Sequence, residues 1–478
     1  MTENGTTMKL NETIIKTSVL PEPSLEFAFA RLHKSPRWGV TAFGPRSFEQ
    51  SNRHPETIRL GFIGSGPSTG SAREWIESCL AGVSGEGEYD DFPGFTSEQG
   101  FYSRVLMEDA WCEQITRREI RDVGSPRLRR DRFELAVKLL EDKMRLLAER
   151  DNHLDCLVLA LPDDLLNHCK TVTYIDPKVG QIHRDLRRAL KSAAMKYRMP
   201  TQIILQRTSE AKPTSRQVDH KSRCAWNFFT SLYFKAGGIP WSPYDLMPGT
   251  CHIGISFHRR ATSEEYSYFT STAQAFDEHG EGLVLRGQDF SWDAKRSGPS
   301  PHLSRDLAAE LMELTLERYK AEMKQQPNRV VVHKSSQFWT EEREGFEDAL
   351  SGVHSYDLLS VNPVSDIRLL RDGQYPVLRG SHVQIGGKHL LYTTGYIPSL
   401  NAYPHGHVPS PIMVFDHHGD TELPRLLAEI LTLTKMNWNM AGFAGLLPIT
   451  VRFARVVGEI MTEIPGERNP LPQFKFYT

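Results

Sequence analysis

The sequence predicts an α/β protein made of two successive units, and three observations support this. In the first unit, short apolar runs bounded by glycine or proline alternate with helical patterns, as in a parallel sheet covered by helices. In the second unit, hairpin signals are mixed with strand and helix patterns, which indicates a mixed sheet. The length of 478 residues leaves room for about three compact units.

The N-terminal lead-in segment is placed at residues 1–55. Proline and glycine punctuate it, and it shows no long hydrophobic period. We expect it to pack on the rest of the chain and to have little stability of its own. Its start also lacks the apolar region of a signal peptide.

The first unit is placed at residues 56–245. It opens with TIRLGFIGSGP from Thr57, a strand followed by a glycine-rich turn. A helix is predicted where apolar residues recur at helical spacing, namely at Phe133, Val137, Leu140, Met144 and Leu147. The apolar run 154–162 that follows is typical of a buried parallel strand. Helix 182–197 and strand 201–206 continue the pattern.

The second unit is placed at residues 246–478. It begins with strand 250–258 and continues into hairpins. Ser304 is expected to cap a helix with one apolar face. The remaining predicted elements are strand 329–333, hairpin turns at Asp372-Gly373 and Gly386-Gly387, and helices 423–436 and 449–463.

Charge, the length of apolar runs and cysteine spacing exclude several classes of protein. Lys and Arg number 57 against 59 Asp and Glu, which argues against an overall basic coat but leaves local basic grooves open. The longest apolar run is about half of a membrane span, so we expect a cytoplasmic protein with no membrane partner. The six cysteines form no CxxC pair, which fits neither a zinc ribbon nor a disulfide framework.

The segment GSGPSTG at Gly64–Gly70 follows a strand, as a dinucleotide-binding turn would. Pro67 removes an amide, the last glycine is one residue late, and no acidic residue ends a clear second strand about twenty residues on. A plain strand-to-helix turn is favoured.

His405, His407, Asp416, His417 and His418 could be taken for a metal cluster. The two groups lie on either side of a VPSPIMV segment, and adjacent histidines on a strand point to opposite faces. A solvated loop is favoured.

Seven arginines and three acids lie between Arg117 and Arg132. Guanidinium groups bind phosphates bidentately, so this stretch could contact a nucleic-acid backbone. It could equally be a solvated helix face.

Arg187 and Lys191 lie four residues apart and share one helix face. Gln202 opens the next strand, and Lys235 ends a later helix. Cations and an amide that converge in this way could bind one phosphate, whereas the spacing alone is also compatible with a solvated basic face.

The sequence resembles the short prokaryotic Argonautes, which consist of a MID and a PIWI domain. The resemblance runs from about Gly39 to the C-terminus. The segments that carry it are GVTAFGP (39–45), FPGF (92–95), PTQIILQRT (200–208), FKAGGIPW (234–241), HIGISFHRR (252–260), YPVLRGS (375–381), LLYTTGYIP (390–398), EILTLTKMNWN (429–439) and LPITVRFA (447–454).

The resemblance implies a Rossmann-like MID domain over 56–245 and an RNase H-like PIWI domain with a mixed sheet over 246–478. It further implies a pocket for the 5′-phosphate of a guide strand. The implied phosphate-binding residues are Arg187, Lys191, Gln202, Asn227 and Lys235, and the implied Mg²⁺ ligands at that phosphate are Gln202 and the terminal carboxylate of Thr478. Ser231 departs from the lysine found in many longer relatives.

The resemblance also implies that the chain does not cut nucleic acid. Slicing members hold two metal ions with acids, and Ser256, Lys334 and Arg455 stand where those acids are expected. Independently of register, no Asp or Glu occurs within 246–263, 323–340 or 430–458.

The implied function is guide-dependent recognition of single-stranded DNA, with RNA as the guide. Target recognition would activate a separate effector protein that carries an Argonaute-associated N-terminal-like region with a TIR, sirtuin-like or nuclease effector, in defence against plasmids or phage. Two alternatives stay open: an active guided nuclease that uses Glu264, Asp277 or Glu341, and an α/β enzyme that binds a nucleotide at Gly64–Gly70.

Overall fold

The computed structural model describes residues 15–150, 153–177, 180–210, 219–260, 267–277, 280, 282–292, 300–403, 408–463 and 471–478. Its strands are β1 Ile15–Val19, β2 Leu25–Glu26, β3 Leu32–His33, β4 Thr57–Gly64, β5 Arg104–Leu106, β6 Cys112–Gln114, β7 Cys156–Leu161, β8 Thr171–Asp176, β9 Gly180–Asp185, β10 Thr201–Leu205, β11 Ser242–Pro243, β12 Thr250–Arg260, β13 Ser267–Phe276, β14 Gly282–Trp292, β15 Arg329–Lys334, β16 Ser355–Pro363, β17 Ser381–Ile385, β18 Lys388–Leu391 and β19 Ile412–Gly419. Its helices are α1 Pro36–Phe43, α2 Gly66–Leu80, α3 Arg117–Gly124, α4 Arg129–Ala148, α5 Asp163–Cys169, α6 Leu186–Met195, α7 Gln206–Ser209, α8 Lys221–Lys235, α9 Arg305–Met323, α10 Thr340–Leu350, α11 Leu423–Leu433 and α12 Ile449–Met461.

The first sheet is parallel and five-stranded, with the order β10-β7-β4-β5 and with β6 also paired to β4. Every residue of β7 is buried, because helices cover both faces of the sheet. This explains why its sequence is a continuous apolar run and not an alternating one. On one face, α4 packs through five residues: Phe133, Ala136, Leu140, Met144 and Leu147.

The second sheet has nine strands in the order β1-β17-β18-β19-β16-β15-β12-β13-β14. Its centre is parallel, since β15 lies between β12 and β16 in the same direction. The outer strands are antiparallel. The sheet is therefore mixed, and the α/β class predicted from the sequence is confirmed.

The lead-in segment is anchored on the second unit. Its first described strand, β1, forms the edge of the nine-stranded sheet by pairing with β17. The Glu22 carboxylate lies 2.7 Å from Arg379 Nε and 2.8 Å from Lys435 Nζ, and all three side chains are buried. Since a buried carboxylate between two cations is costly to separate, this contact fixes the segment in place.

Two predicted elements differ from the structure. The helix expected over 182–197 begins at Leu186, because residues 180–185 pair with β8 as the second strand of a hairpin. Asp185 then caps the helix by accepting a hydrogen bond from Arg188 N. No strand flanks Asp372-Gly373 directly, whereas Gly386-Gly387 joins β17 to β18 as predicted.

Ion pairs connect the two units next to the C-terminal end of α12. Arg188 lies 2.6 Å from Glu459, and Arg184 lies 2.5 Å from the buried Glu463. These contacts bring α6 of the first unit against α12 of the second. None of the described helices combines the length and apolar content needed to cross a membrane.

Candidate anion-binding site

A cavity of about 290 Å³ lies at the junction of the two units. Three elements of the first unit contribute to it, α6, β10 and α8, together with the segment after α11, helix α12 and the last residue of the chain. The lining residues are Arg187, Lys191, Thr201, Gln202, Ile203, Ser231, Lys235, Asn437, Asn439, Met440, Arg452, Phe453, Val456 and Thr478.

Helix and strand geometry bring the sequence-predicted residues together. Arg187 and Lys191 are one turn apart on α6, so they share a face. Gln202 lies near the start of β10, and Lys235 ends α8. Four of the five residues assigned to guide-phosphate binding, and the predicted metal ligand Thr478, therefore line one cavity.

Lysine ammonium groups donate to the oxygen atoms of the cavity. Lys235 Nζ donates to Gln202 Oε1, and Lys191 Nζ donates to the main-chain oxygen of Thr478. Ser231 Oγ lies 3.2 Å from Gln202 Oε1. The amide of Gln202 is thus oriented by two neighbours from α8.

The electrostatics of the cavity are those of an anion site. Lys191 and Lys235 are only 3% and 2% exposed, and no Asp or Glu is among the lining residues. Burial lowers the pKa of Lys191 well below its usual value, and the charges of Lys235 and Arg187 lower it further. Burial likewise lowers the pKa of Lys235 to about 8. An anion would relieve this repulsion and replace lost hydration.

Several polar groups of the cavity were not predicted from the sequence. Asn437, Asn439 and Arg452 come from the second unit, more than 200 residues after α8. The Thr201 hydroxyl, which is 2% exposed, has no hydrogen-bond partner among the described residues. The amide-rich sequence NWN at 437–439 was the only local signal for the asparagines.

Mg²⁺ fits this cavity only in the company of an anion. Mg²⁺ requires oxygen ligands, and Gln202 Oε1 and the Thr478 oxygen are available in the wall. Both oxygens accept hydrogen bonds from ammonium groups. A bare cation would face Arg187 as well, so phosphate oxygens are needed to offset the repulsion.

Asn227 lies outside this cavity. It is on the same face of α8, two turns before Lys235, and its Oδ1 accepts a hydrogen bond from Ala441 N. It lines a neighbouring cavity of about 1160 Å³. Met440 lines both cavities, so they adjoin.

The residues at the expected positions of catalytic acids do not converge. Ile255 of β12 lies opposite Lys334 of β15, and since side chains alternate, Ser256 and Lys334 point to opposite faces of the sheet. Ser256 Oγ lies 2.9 Å from Ala454 O beneath α12. Arg455 projects from α12 with a side chain that is 83% exposed.

A buried ionic cluster occupies the Lys334 side of the sheet. Lys334 pairs with Glu342, and the two side chains are at most 1% exposed. His302 Nδ1 lies 3.1 Å from Lys334 Nζ, and Leu303 N donates to Glu342 Oε1 at 3.2 Å. Glu342 is therefore fully engaged and is not a free metal ligand.

The acids named by the nuclease alternative are scattered. Asp277 is buried after β13, and Glu341 is exposed in the first turn of α10. Glu264 is outside the described residues. In the part of the chain that the structure describes, no three His, Cys, Asp or Glu side chains are grouped to hold a metal ion.

The Gly64–Gly70 turn packs tightly on its neighbouring strand. A Cβ at Gly64 would collide with Ala160 O, and Ser68 Oγ donates to the same oxygen at 2.7 Å. Ser65 caps α2 by accepting from Ser68 N. These contacts account for the turn as a strand-to-helix connection.

The histidines of β19 point apart. His417 Nε2 lies 3.0 Å from Asp357 Oδ1, whereas His418 Nε2 lies 2.9 Å from Asp416 Oδ1. Their predicted cluster mates His405 and His407 lie outside the described residues. The described members thus form two separate contacts.

Comparison with known proteins shows likeness at the level of structure alone. No protein-family model and no curated protein sequence matches the chain. Solved structures do match. Clostridium butyricum Argonaute, bound to a guide DNA and a 19-mer target DNA, has a TM-score of 0.66 at 17% identity, over 96% of this chain and 54% of that chain.

Two further structures give similar values. The A. aeolicus Argonaute has a TM-score of 0.59 at 15% identity, over 96% of this chain and 55% of that one. Drosophila Piwi has a TM-score of 0.59 at 12% identity, over 97% of this chain and 56% of that one. The chain thus has an Argonaute-like fold and spans about half the length of these structures.

Proposed function

We propose that the cavity binds the 5′-phosphate of an RNA guide. The observation that carries the proposal is the pair of buried lysines and the neighbouring arginine in a lining that contains no Asp or Glu. A terminal phosphate dianion supplies the missing negative charge and several acceptors at once.

Each cation has a distinct part in the proposal. Lys191 and Lys235 donate to phosphate oxygens from two sides, and Arg187 adds a bidentate donor at the rim. Gln202 and the Thr478 carboxylate would hold a Mg²⁺ ion beside the phosphate. When bound, the ion neutralises phosphate charge, and it has no part in bond cleavage.

The guide then presents its bases to single-stranded DNA. Base pairing reads the sequence, and the protein holds the backbone. The function proposed is recognition without cleavage, since acids are missing where a two-metal site would need them. No described residue favours either the nuclease or the nucleotide-enzyme alternative.

The proposal is tested by comparing 5′-phosphorylated and 5′-hydroxyl strands. Lys191→Ala removes a charge-assisted hydrogen bond worth about 1.5–3 kcal/mol, so the affinity for the phosphorylated strand should fall by about one to two decades. Lys196→Ala is the matched control, because Lys196 follows the same helix but pairs with Glu141 at the surface. Equal binding of both strand types by the unaltered protein would contradict the proposal.

We also propose that a separate effector chain associates with this one. Support comes from the resemblance in sequence to the short prokaryotic Argonautes. The effector would carry the Argonaute-associated N-terminal-like region and a TIR, sirtuin-like or nuclease activity, and would act against plasmids or phage. Size-exclusion chromatography of the co-expressed pair should show a 1:1 complex, and separate elution at micromolar concentration would contradict the assignment.

A further inference from the structure

A group of arginines on the first unit lies outside the cavity and has no role in the proposed phosphate anchor. We refer to it as the arginine stripe. It consists of Arg117, Arg118, Arg121, Arg127, Arg129 and Arg130, all of which are exposed. The stripe spans α3, the turn after it and the start of α4, and it contains no lysine.

Most of the stripe is electrostatically unpaired. Arg117, Arg121, Arg127 and Arg129 form no ion pair with any other described residue, and Arg118 has only a 3.9 Å contact to the exposed Asp122. A surface pair of that kind contributes little. Arg184 and Arg188, which join the first unit to the second, have close acidic partners by contrast. The stripe therefore presents several free guanidinium groups together.

Aromatic and apolar side chains lie among these arginines. The Arg130 guanidinium lies 4.6 Å from the centre of the Tyr174 ring, within the range of a cation–π contact. Leu128, between two arginines of the turn, is 62% exposed. Arginine interleaved with aromatic and aliphatic groups is a combination that single-stranded nucleic acid uses for backbone and base contacts.

The stripe is close to the element that carries the phosphate cavity. Helix α4, which begins within the stripe, is tied to α6 and its preceding strand by two ion pairs. These are Glu134 with Arg184, and Glu141 with Lys196. Helix α6 presents Arg187 and Lys191 to the cavity. The stripe and the cavity thus flank the same helix.

The helices α9 and α10 of the second unit carry the opposite charge to the arginine stripe. Outside the buried Glu342, α9 and α10 carry nine acids and four bases. That pair of helices repels phosphates and suits a basic partner protein. The stripe, in contrast, attracts phosphates. Because its cations are all arginines, each can bind a phosphate through two hydrogen bonds, which a lysine ammonium does less well.

We propose that the arginine stripe binds the sugar-phosphate backbone of a single nucleic-acid strand, independently of sequence and of the chemistry of the 5′ end. The inference rests on the proposed function in one respect, namely that nucleic acid is the occupant. It adds a second contact site outside the cavity.

The test is the salt dependence of strand binding. The variant Arg117→Gln/Arg121→Gln/Arg129→Gln removes three potential phosphate contacts, so the slope of log K against log salt should become shallower by about 2 for a single strand. The preference for a 5′-phosphate over a 5′-hydroxyl should stay unchanged. The matched control is Arg318→Gln/Lys320→Gln/Arg371→Gln, which removes three cations from the second unit and should leave the slope as it was.

Two outcomes would overturn the inference. One is an unchanged slope in a variant that melts at the same temperature as the unaltered protein. The other is an unchanged slope together with lost association of a co-expressed effector chain, which would make the stripe a protein-docking surface. A third outcome separates the two proposals. If the unaltered protein binds 5′-phosphorylated and 5′-hydroxyl strands equally, but the stripe variant still has a shallower salt slope, the proposed phosphate site is contradicted and the inference about the stripe is supported.

Discussion

At the scale of single residues, buried charges in this protein fall into two kinds. Arg329 lies 2.8 Å from Glu429 and 3.0 Å from Asp357, and all three side chains are at most 3% exposed. Lys191 and Lys235 are equally buried but have no Asp or Glu beside them: Lys191 donates to an oxygen of the terminal carboxylate of Thr478, and Lys235 donates to the neutral amide of Gln202. Arg187 adds a third positive charge. Since buried charges without matching partners are far more costly than matched ones, the first group stabilises the fold, whereas the excess positive charge of the second suits an anionic ligand.

The matched group predicts acid sensitivity. Burial raises the pKa of Glu429, but the neighbouring His252 and the hydrogen bonds and charge of Arg329 outweigh this effect and lower the pKa to about 2. A lowered carboxyl pKa contributes stability that is present above the unfolded value of about 4.5 and is lost as the pH falls toward 2. A shift of this size corresponds to roughly 3 kcal/mol.

Glu429→Gln should therefore lose less stability than the unaltered protein between pH 5 and pH 3. Urea unfolding at the two pH values measures this difference. Glu98→Gln, at an exposed position, should behave as the unaltered protein does. An identical acid dependence in Glu429→Gln and the unaltered protein would mean that the ion pair is not the source.

At the scale of elements, the sequence was informative where periodicity is local. The strand at 154–162 was predicted because a strand buried on both faces is a continuous apolar run. The helix over 133–147 was predicted because a helix buried on one face has apolar residues at helical spacing. The predicted start of the helix at residue 182 was too early, because residues 180–185 form a strand. This strand has no apolar alternation and is stabilised by pairing with its hairpin partner β8. Long-range pairing of this kind leaves no local pattern.

The cavity was predicted in part for the same reason. The cations on α6 and α8 could be named from helical spacing and from the resemblance. Arg452 and the asparagines could not, because only the packing of α12 against α6 brings them to the cavity. Asn227 was predicted to bind the phosphate but does not line the cavity. It lies on the same face of α8 as Lys235, but two turns earlier in the helix.

The arrangement of elements also predicts that this chain does not cut a target strand. Ser256 and Lys334 lie on opposite faces of the sheet, and the Lys334 ammonium is paired with Glu342. A labelled target paired to a bound guide should stay intact with Mg²⁺ or Mn²⁺. Cuts at one fixed position that disappear in Glu341→Gln would revive the nuclease alternative.

At the scale of the whole molecule, the cavity is a joint between two units. The first unit supplies its cations from α6 and α8, and the second supplies Arg452 and the last residue. The two units share one apolar core, in which Trp226 and Phe229 of α8 belong to the same buried cluster as Trp438 and Phe453. Two ion pairs beside the cavity, Arg184 with Glu463 and Arg188 with Glu459, add to this contact. A ligand in the cavity contacts both units, so its binding energy opposes their separation.

Binding of a 5′-phosphorylated strand should therefore raise the melting temperature of the entire chain, not of one unit. A ligand at 100 times its Kd that binds only the folded state adds about 2.7 kcal/mol. Differential scanning calorimetry should show a single transition that moves upward with a 5′-phosphorylated strand and moves less with a 5′-hydroxyl strand of the same sequence. Lys191→Ala should remove most of the difference between the two strands, whereas Lys196→Ala should keep it. A phosphate-dependent shift confined to one of two separate transitions would mean that the ligand is held by one unit alone, and that the residues of the other unit merely border the cavity.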